Sequence, residues 1–377
     1  MSTGEAARPR LAVRLGLLAL TLAVATVNLW RSPPFYNWDV LPYVAIARSW
    51  DGASPADAHR DAYALVQATV SPKIYRGLVM DDPPYRATVA RDPELFGQVL
   101  PFYRVKPLFP FLLHLGERAG VDPVSGGVWL SRLAYLGIAV LLWWWCTRHL
   151  TALLAAVCVP LILSSGFVLR LPCWFAPDAL STLVMLAAVI LVVEGRTWAG
   201  WLAMAFAVAV RPDNLIFLGL FGLWALWYRP ADRVPVATPM VVGIAVQLVE
   251  GRAAAGYGWK LLFHNAMVER LLRPAEFQPS LDLAGYLRIY ATQLLPDVVS
   301  DVMMASIVIA VAAATLHRRW SSADAPWTGI LTITPVYMLV HWLVHPIDKD
   351  RTLAFGYLIV VCGVLFLTAL RPRASTA

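Results

Sequence analysis

Asp39, in the stretch "FYNWDVLPYVAIARSW", is a carboxylate set among aromatic residues directly after the first apolar run of the chain. Further along, bases and acids stand at the ends of other apolar runs. They are Arg104 and Lys106 in "YRVKPLFPFLL", Arg170 and Asp178 in "VLRLPCWFAPD", Arg211 and Asp213 in "VRPDN", and His345, Asp348, Lys349, Asp350 and Arg351 in "VHPIDKDR". A carboxylate can take a proton from a hydroxyl, ligate a hard cation or cap a helix. Arginine and lysine hold anionic oxygens, arginine through a two-pronged fork. Charges at the rim of a bilayer carry a cost that implies pairing or function. The chemistry open to this set is proton transfer, anion binding, or both.

The elements that must position these residues are read from composition and period. The 377 residues are 59% hydrophobic and 15% charged, where a soluble domain carries about 25% charged residues. The apolar residues fall in ten blocks, several approaching the ~20 residues that cross hydrocarbon: 11–30, 128–146, 150–168, 179–193, 198–210, 215–228, 235–249, 302–316, 327–344 and 353–370. Arg8, Arg10 and Arg14, then Arg148, Arg196, Arg229 with Arg233, Arg318 with Arg319, and Arg371 with Arg373 fall on one side of such a ten-pass chain. The positive-inside rule makes that side cytoplasmic, with both termini there. The first block is long for a signal peptide, and "VNLWRS" offers no small-x-small cleavage pattern, so it reads as a retained span.

The expected fold is an all-α polytopic membrane protein of about ten transmembrane helices. It forms a single domain over residues 1–377, with amphipathic helices in two external loops, 31–127 and 250–301. After Asp39, the apolar positions Tyr43, Ile46, Ala47 and Trp50 share a helical face, so that segment reads as a helix lying on the bilayer. Tyr36, Trp38, Tyr43 and Tyr103 read as an interfacial aromatic belt. The net charge of +7 is scattered singly or in pairs between the blocks, which argues against nucleic acid as a partner. Cys146, Cys158, Cys173 and Cys362 form no CxxC and read as structural. His341 and His345 stand four apart with no third ligand beside them, which favours packing or hydrogen bonding over a metal site.

In order and in common side, these stretches resemble the GT-C superfamily of integral-membrane glycosyltransferases, which use polyprenyl-phosphate sugars. "NWDVLPYVAIARSWDGA" looks like the aspartate-plus-helix segment that opens the first external loop of the aminoarabinose transferase and protein mannosyltransferase group. "YRVKPLFPFLLHLGERAG" is similar to the Lys-Pro stretch later in that loop, and "VWLSRLAYLG" supplies the arginine that begins the second span. "FAPDALSTLVMLAAVIL" is like the acid that starts the fourth span, and "VHPIDKDRTLAFGYLIV" echoes an arginine before the last spans. The likeness in layout extends to the sixth apolar block. It departs from the family where Val40 follows Asp39 in place of a second acid, and where Leu108 follows Lys106–Pro107 in place of a second proline.

The resemblance implies inverting transfer of a sugar from a polyprenyl-phosphate donor to a lipid, glycan or protein acceptor at the outer face of the membrane. Asp39 would then be the base that deprotonates the acceptor hydroxyl; a helix N-cap or an interfacial ion pair is the other reading. Arg104, Lys106, Arg211 and Arg351 would bind the donor phosphate and stabilise it as it leaves, against the alternative of snorkelling anchors. Asp178, Asp213 and Asp348 would orient those cations or hold a divalent ion, although no compact cluster of oxygen ligands supports a metal. A divalent cation is the one cofactor left open. The implied partners are the polyprenyl-phosphate sugar, its acceptor and the bilayer. The implied location is a bacterial inner membrane with the site facing the periplasm. A surface-polysaccharide polymerase or ligase is the competing enzyme class. A transporter would call for charges at mid-bilayer and internal repeats, and neither is evident.

Overall fold

The computed structural model describes residues 11–80, 85–280, 282–295, 302–320, 326–344, 346 and 349–369. Among them there is no strand beyond an isolated bridge between Phe35 and Trp174. The chain begins with α1 (Leu11–Arg31), followed by seven short helices: α2 (Val40–Ser49), α3 (Pro55–Thr69), α4 (Pro72–Met80), α5 (Tyr85–Arg91), α6 (Pro93–Val99), α7 (Pro101–Arg104) and α8 (Leu108–Arg118). The apolar blocks resume with α9 (Pro123–His149), α10 (Ala152–Leu163), α11 (Gly166–Leu169), α12 (Asp178–Val193), α13 (Thr197–Val210), α14 (Asn214–Tyr228) and α15 (Arg233–Ala253). After α16 (Trp259–Met267) and α17 (Leu283–Ile289) come α18 (Val302–Trp320), α19 (Pro326–Val344), α20 (Lys349–Thr352) and α21 (Ala354–Ala369).

Every apolar block is helical. Among the described residues four stretches are long and apolar enough to cross a membrane: Leu11–Arg31, Pro123–His149, Pro230–Ala253 and Pro326–Val344. The other six blocks form shorter helices. Block 150–168 is not continuous: α10 contains Pro160 and stops at Leu163, and Ser165 turns its hydroxyl back onto the Ile162 carbonyl before α11. A proline inside a helix removes a backbone bond and crowds the preceding turn, which suits a break here. Large apolar side chains stand exposed along the long helices, among them Trp30, Leu133, Leu153, Leu161 and Val241. Apolar surface on that scale needs a cover other than water, and a bilayer supplies it.

Two cores hold the molecule together. One runs through the helix bundle around Tyr135, Trp145, Trp201, Phe217, Phe221 and Tyr357. There α12 and α13 approach closely at Gly200, where a β-carbon would meet the Val192 nitrogen and the Ala188 oxygen at 2.8 Å. Small residues allow such close helix approach. The other core lies in a cap built from α2 to α8, around Tyr43, Phe96, Phe109 and Phe175.

In this cap α2 departs from its expected surface position. Val40 to Ala47 are all buried, against α3 and α8, and a helix apolar on every side belongs inside. Tyr43 is buried with them and belongs to no interfacial belt. The chain after α15 docks on the cap: the Tyr257 hydroxyl donates to the Gln98 carbonyl at 3.0 Å, and the Ala275 N–H to the Gln98 side chain at 3.3 Å.

Candidate functional site

The site lies where the cap meets the bundle. Phe35 donates its N–H to the Cys173 carbonyl at 2.7 Å, which ties the start of the first external loop to the loop before α12. Four residues later Asp39 occupies the N-cap position of α2, yet its side chain makes no capping bond. Its carboxylate instead accepts from the Tyr103 hydroxyl at 3.0 Å and from the Asn37 amide, and it lies 3.9 Å from the Arg351 guanidinium. The side chain of Asp39 therefore does not serve as an N-cap, while its contact with Arg351 is the ion pair of the alternative reading.

Asp178 opens α12, and the loop before it is seated by packing. Gly127 on α9 leaves room for the Phe175 ring, since a β-carbon there would lie 2.1 Å from that ring. Ser131, one turn further along α9, donates towards the Trp174 and Ala176 carbonyls at 2.9 and 3.3 Å. Thus held, Asp178 receives Arg351 at 3.0 Å on one oxygen and pairs with Arg211 on the other. Arg351 also lies over the Trp174 ring, 4.2 Å from its centroid, a favourable place for a guanidinium.

Arg211 then forks onto Asp213 through Nε and a terminal nitrogen at 3.0 and 2.7 Å. His341 of α19 brings its Nε2 within 2.6 Å of the same carboxylate. The turn that carries the fork is fixed by Asn214, which donates to Ser181 at 2.8 Å and to the Ala207 carbonyl at 2.7 Å. Asp178 is 3% exposed and Arg211 5%. Burial opposes the charged form of Asp213, but Arg211 and His341 outweigh it and hold its carboxyl well below the usual range.

A cavity of about 920 Å³ opens above this network, with Asp39, Tyr103, Lys106, Asp178, Arg211 and Arg351 in its wall. That is at the upper end of small-molecule sites, about 300–1,000 Å³. Burial first, then the neighbouring Asp39 carboxylate, push the Tyr103 hydroxyl well above its ordinary value, so it remains a donor. Lys106 differs from its neighbours. No carboxylate among the described residues pairs with it, and its nearest recorded contact is the Tyr103 ring, 5.9 Å from Nζ. Burial, with the like charge of Arg211 behind it, pulls its ammonium down to about 8, although Asp39 and Asp213 work the other way.

The structure thus brings Asp39, Lys106, Asp178, Arg211 and Arg351 to one cavity wall, with Asp213 directly behind Arg211. Arg104 is not in that wall. It follows Tyr103 on the one-turn helix α7, and the ~100° step between successive helical residues turns it away. Asp348 lies outside the described residues. Among the described residues no three His, Cys, Asp or Glu side chains are arranged to hold a metal ion. The chain matches no family model, no curated protein and no solved structure.

Several site residues were not singled out from sequence. Tyr103, expected in the interfacial belt, stands at hydrogen-bond distance from Asp39 across 64 residues. His341, expected to pack or hydrogen-bond, does hydrogen-bond, to Asp213 128 residues away. Asn37, two residues before Asp39, was legible in principle as part of "NWD". Trp174 had only its place beside "APD" to mark it.

Proposed function

We propose that this protein transfers a sugar from a polyprenyl-phosphate donor to an acceptor hydroxyl, with inversion, in the cavity between cap and bundle. The observation that carries the reading is the meeting of Asp39 from the cap with Lys106 and Arg351 in the lining of one cavity, over the Arg211–Asp213 pair. An acceptor hydroxyl beside Asp39 gives up its proton to the carboxylate as its oxygen attacks the anomeric carbon. The bond to the donor phosphate oxygen breaks on the opposite side, and Lys106 and Arg351 stabilise the phosphate that leaves. Arg351 suits that task because its contact with Asp39, at 3.9 Å, is loose and its guanidinium already stacks on Trp174. Lys106 suits it because an unpaired, desolvated ammonium gains most from an incoming anion.

In this reading all ten apolar blocks cross the bilayer, the shorter helices completing their spans by tilt and by flanking side chains. Both termini are cytoplasmic and the cavity faces the outer side, the periplasm of a bacterial inner membrane. The likeness of "NWDVLPYVAIARSWDGA" and "YRVKPLFPFLL" to the GT-C superfamily supports the donor class.

The test is sugar transfer from a native lipid extract in reconstituted vesicles, comparing the wild type with Asp39→Asn and Lys106→Ala at matched folding. Asp39→Asn is expected to lower turnover about 10²–10⁴-fold while donor lipid still binds. Full turnover by Asp39→Asn removes the base from the scheme, and no transfer by the wild type from any lipid-linked sugar removes the scheme.

A further inference from the structure

The cavity wall carries more positive charge than one donor phosphate can answer. Among the described residues six lysines and arginines line it with two aspartates. Asp39 and Asp178 are taken up with Arg351 and Arg211 in the inner part. Of the four remaining cations only Lys106 belongs to that inner cluster. Lys73, Arg86 and Arg270 line the outer part, contributed by α4, by α5 and by the segment after α16. Ile74, Gly77 and Leu78 of α4 line the same cavity as Leu262, Asn265 and Ala266 beside Arg270, so the cap and the segment after α15 both contribute to it.

Among the described residues none of these three outer cations is paired with an acid in the cleft. Arg86 uses one N–H on the Gly77 carbonyl at 3.0 Å and keeps its other donors. Glu269, the acid next to Arg270, lies 3.4 Å from His264 instead. A phosphate monoester carries at most two negative charges, and in the proposed reaction Lys106 meets them in the inner cluster together with Arg351, whose 3.9 Å contact with Asp39 is loose enough to yield to the phosphate while its bond to Asp178 stays. Two adjoining phosphates of a diphosphate would both sit at that cluster, which is buried around Asp178 and Arg211, whereas Lys73 and Arg270 are exposed.

We infer that the acceptor is anionic. Its hydroxyl reaches Asp39 while a phosphate or carboxylate on the same molecule is held between Lys73, Arg86 and Arg270. The inference rests on the sugar-transfer reading for the identity of the inner ligand, and it adds the class of the outer one. The chemistry required is an anionic group set apart from the reacting hydroxyl.

The experiment uses the full chain in phosphatidylcholine nanodiscs loaded with a long-chain polyprenyl monophosphate. Calorimetry then follows binding of glycerol phosphate and glucuronate as anionic probes, and of glycerol and glucose as neutral ones. The variant is Lys73→Gln with Arg270→Gln, both exposed positions where substitution leaves the fold intact. The anionic probes are expected to bind in preference to the neutral ones and to weaken about fivefold or more in the double variant. Added salt should erode the same preference.

Equal binding of anionic and neutral probes, or a preference untouched by the double variant, overturns the inference. If the double variant instead weakens polyprenyl diphosphate relative to monophosphate and leaves the probes alone, the outer cations serve the donor and the anionic acceptor falls. Failure of the sugar-transfer reading shows separately, as monophosphate binding no tighter than that of the corresponding polyprenol. The probes on unloaded protein then still decide whether the outer cations hold an anion.

Discussion

The floor and the wall of the cavity treat charge in opposite ways. On the floor, Asp178, Arg211, Asp213 and His341 form one continuous network in which each charged group has an opposite or hydrogen-bonding partner. On the wall, Lys106 has no acid of its own among the described residues, and Asp39 is held mainly by neutral donors, Tyr103 and Asn37. Charges taken out of water must be compensated where they sit, as they are on the floor. A network paired in this way has little left to offer a ligand. Under the proposed function the floor is therefore scaffold and the wall meets the substrate.

The largest expected effect breaks the floor. Arg211→Ala leaves two buried carboxylates with only Arg351 and His341 to answer them and should cost about 3 kcal/mol of stability, read by denaturant unfolding in detergent. Arg211→Met combined with Asp178→Asn and Asp213→Asn removes the charges together and should recover most of that loss. Recovery of stability without recovery of sugar transfer sharpens the division. No loss in Arg211→Ala would mean that the floor is not scaffold.

Next comes the seat beneath Asp178. Gly127→Ala drives a methyl into the Phe175 ring, and overpacking of this kind costs about 1–3 kcal/mol. A shift of about 1 Å in the Asp178 loop can lower turnover by up to about a hundredfold. Phe175→Leu in the same background makes room and should restore part of both. If the double variant is no better than Gly127→Ala, the contact does not seat the loop.

Asp39, Asp178, the Arg211–Asp213 pair and Arg351 could all be picked out of the sequence, because charges at the ends of apolar runs are conspicuous against 15% charged residues. The helical nature of all ten blocks was legible for the same reason, since continuous apolar runs of that length leave few alternatives. Direction was not. Arg104 and Lys106 look equivalent in "YRVKP", and only the turn of α7 separates the one that lines the cavity from the one that does not. The burial of α2 is also legible, because Val40, Leu41, Val44 and Ala45 complete an apolar circumference around the face marked by Tyr43, Ile46 and Ala47, which by itself suggests a surface helix. Partners such as His341 and Tyr103 leave no local trace, because their contacts close loops of a hundred residues or so.

The wall is probed by pH. With Lys106 titrating at about 8 in the empty protein, donor affinity should hold below pH 8 and fall by up to about tenfold per pH unit above it. Stability of the empty protein moves the other way. The unfolded chain keeps its lysine proton to about pH 10.4, so the stabilisation tied to Lys106 is full above that value and is lost as pH falls through 8. The stability difference between wild type and Lys106→Met across that window isolates this lysine. Lys106→Arg stays charged throughout and should flatten the affinity profile. A wild-type profile flat to pH 10 would place the phosphate elsewhere.

The smallest effect tests whether Tyr103 merely packs against Asp39 or positions it. Tyr103→Phe keeps the ring, and with it the edge contact to Tyr43 at 5.2 Å, but removes the donor to the carboxylate. The lost bond is worth about 1 kcal/mol net, or about a fivefold fall in turnover. A positioning role predicts that the fall appears in kcat, with donor affinity unchanged, because the proposed reaction has the phosphate held by Lys106 and Arg351. It also predicts an unchanged high-pH limb, since the Tyr103 hydroxyl is held well above its ordinary value and stays protonated where Lys106 titrates. A fall in donor affinity equal to the fall in kcat would instead tie Tyr103 to the phosphate side of the cavity, and the wall would then have to be divided differently.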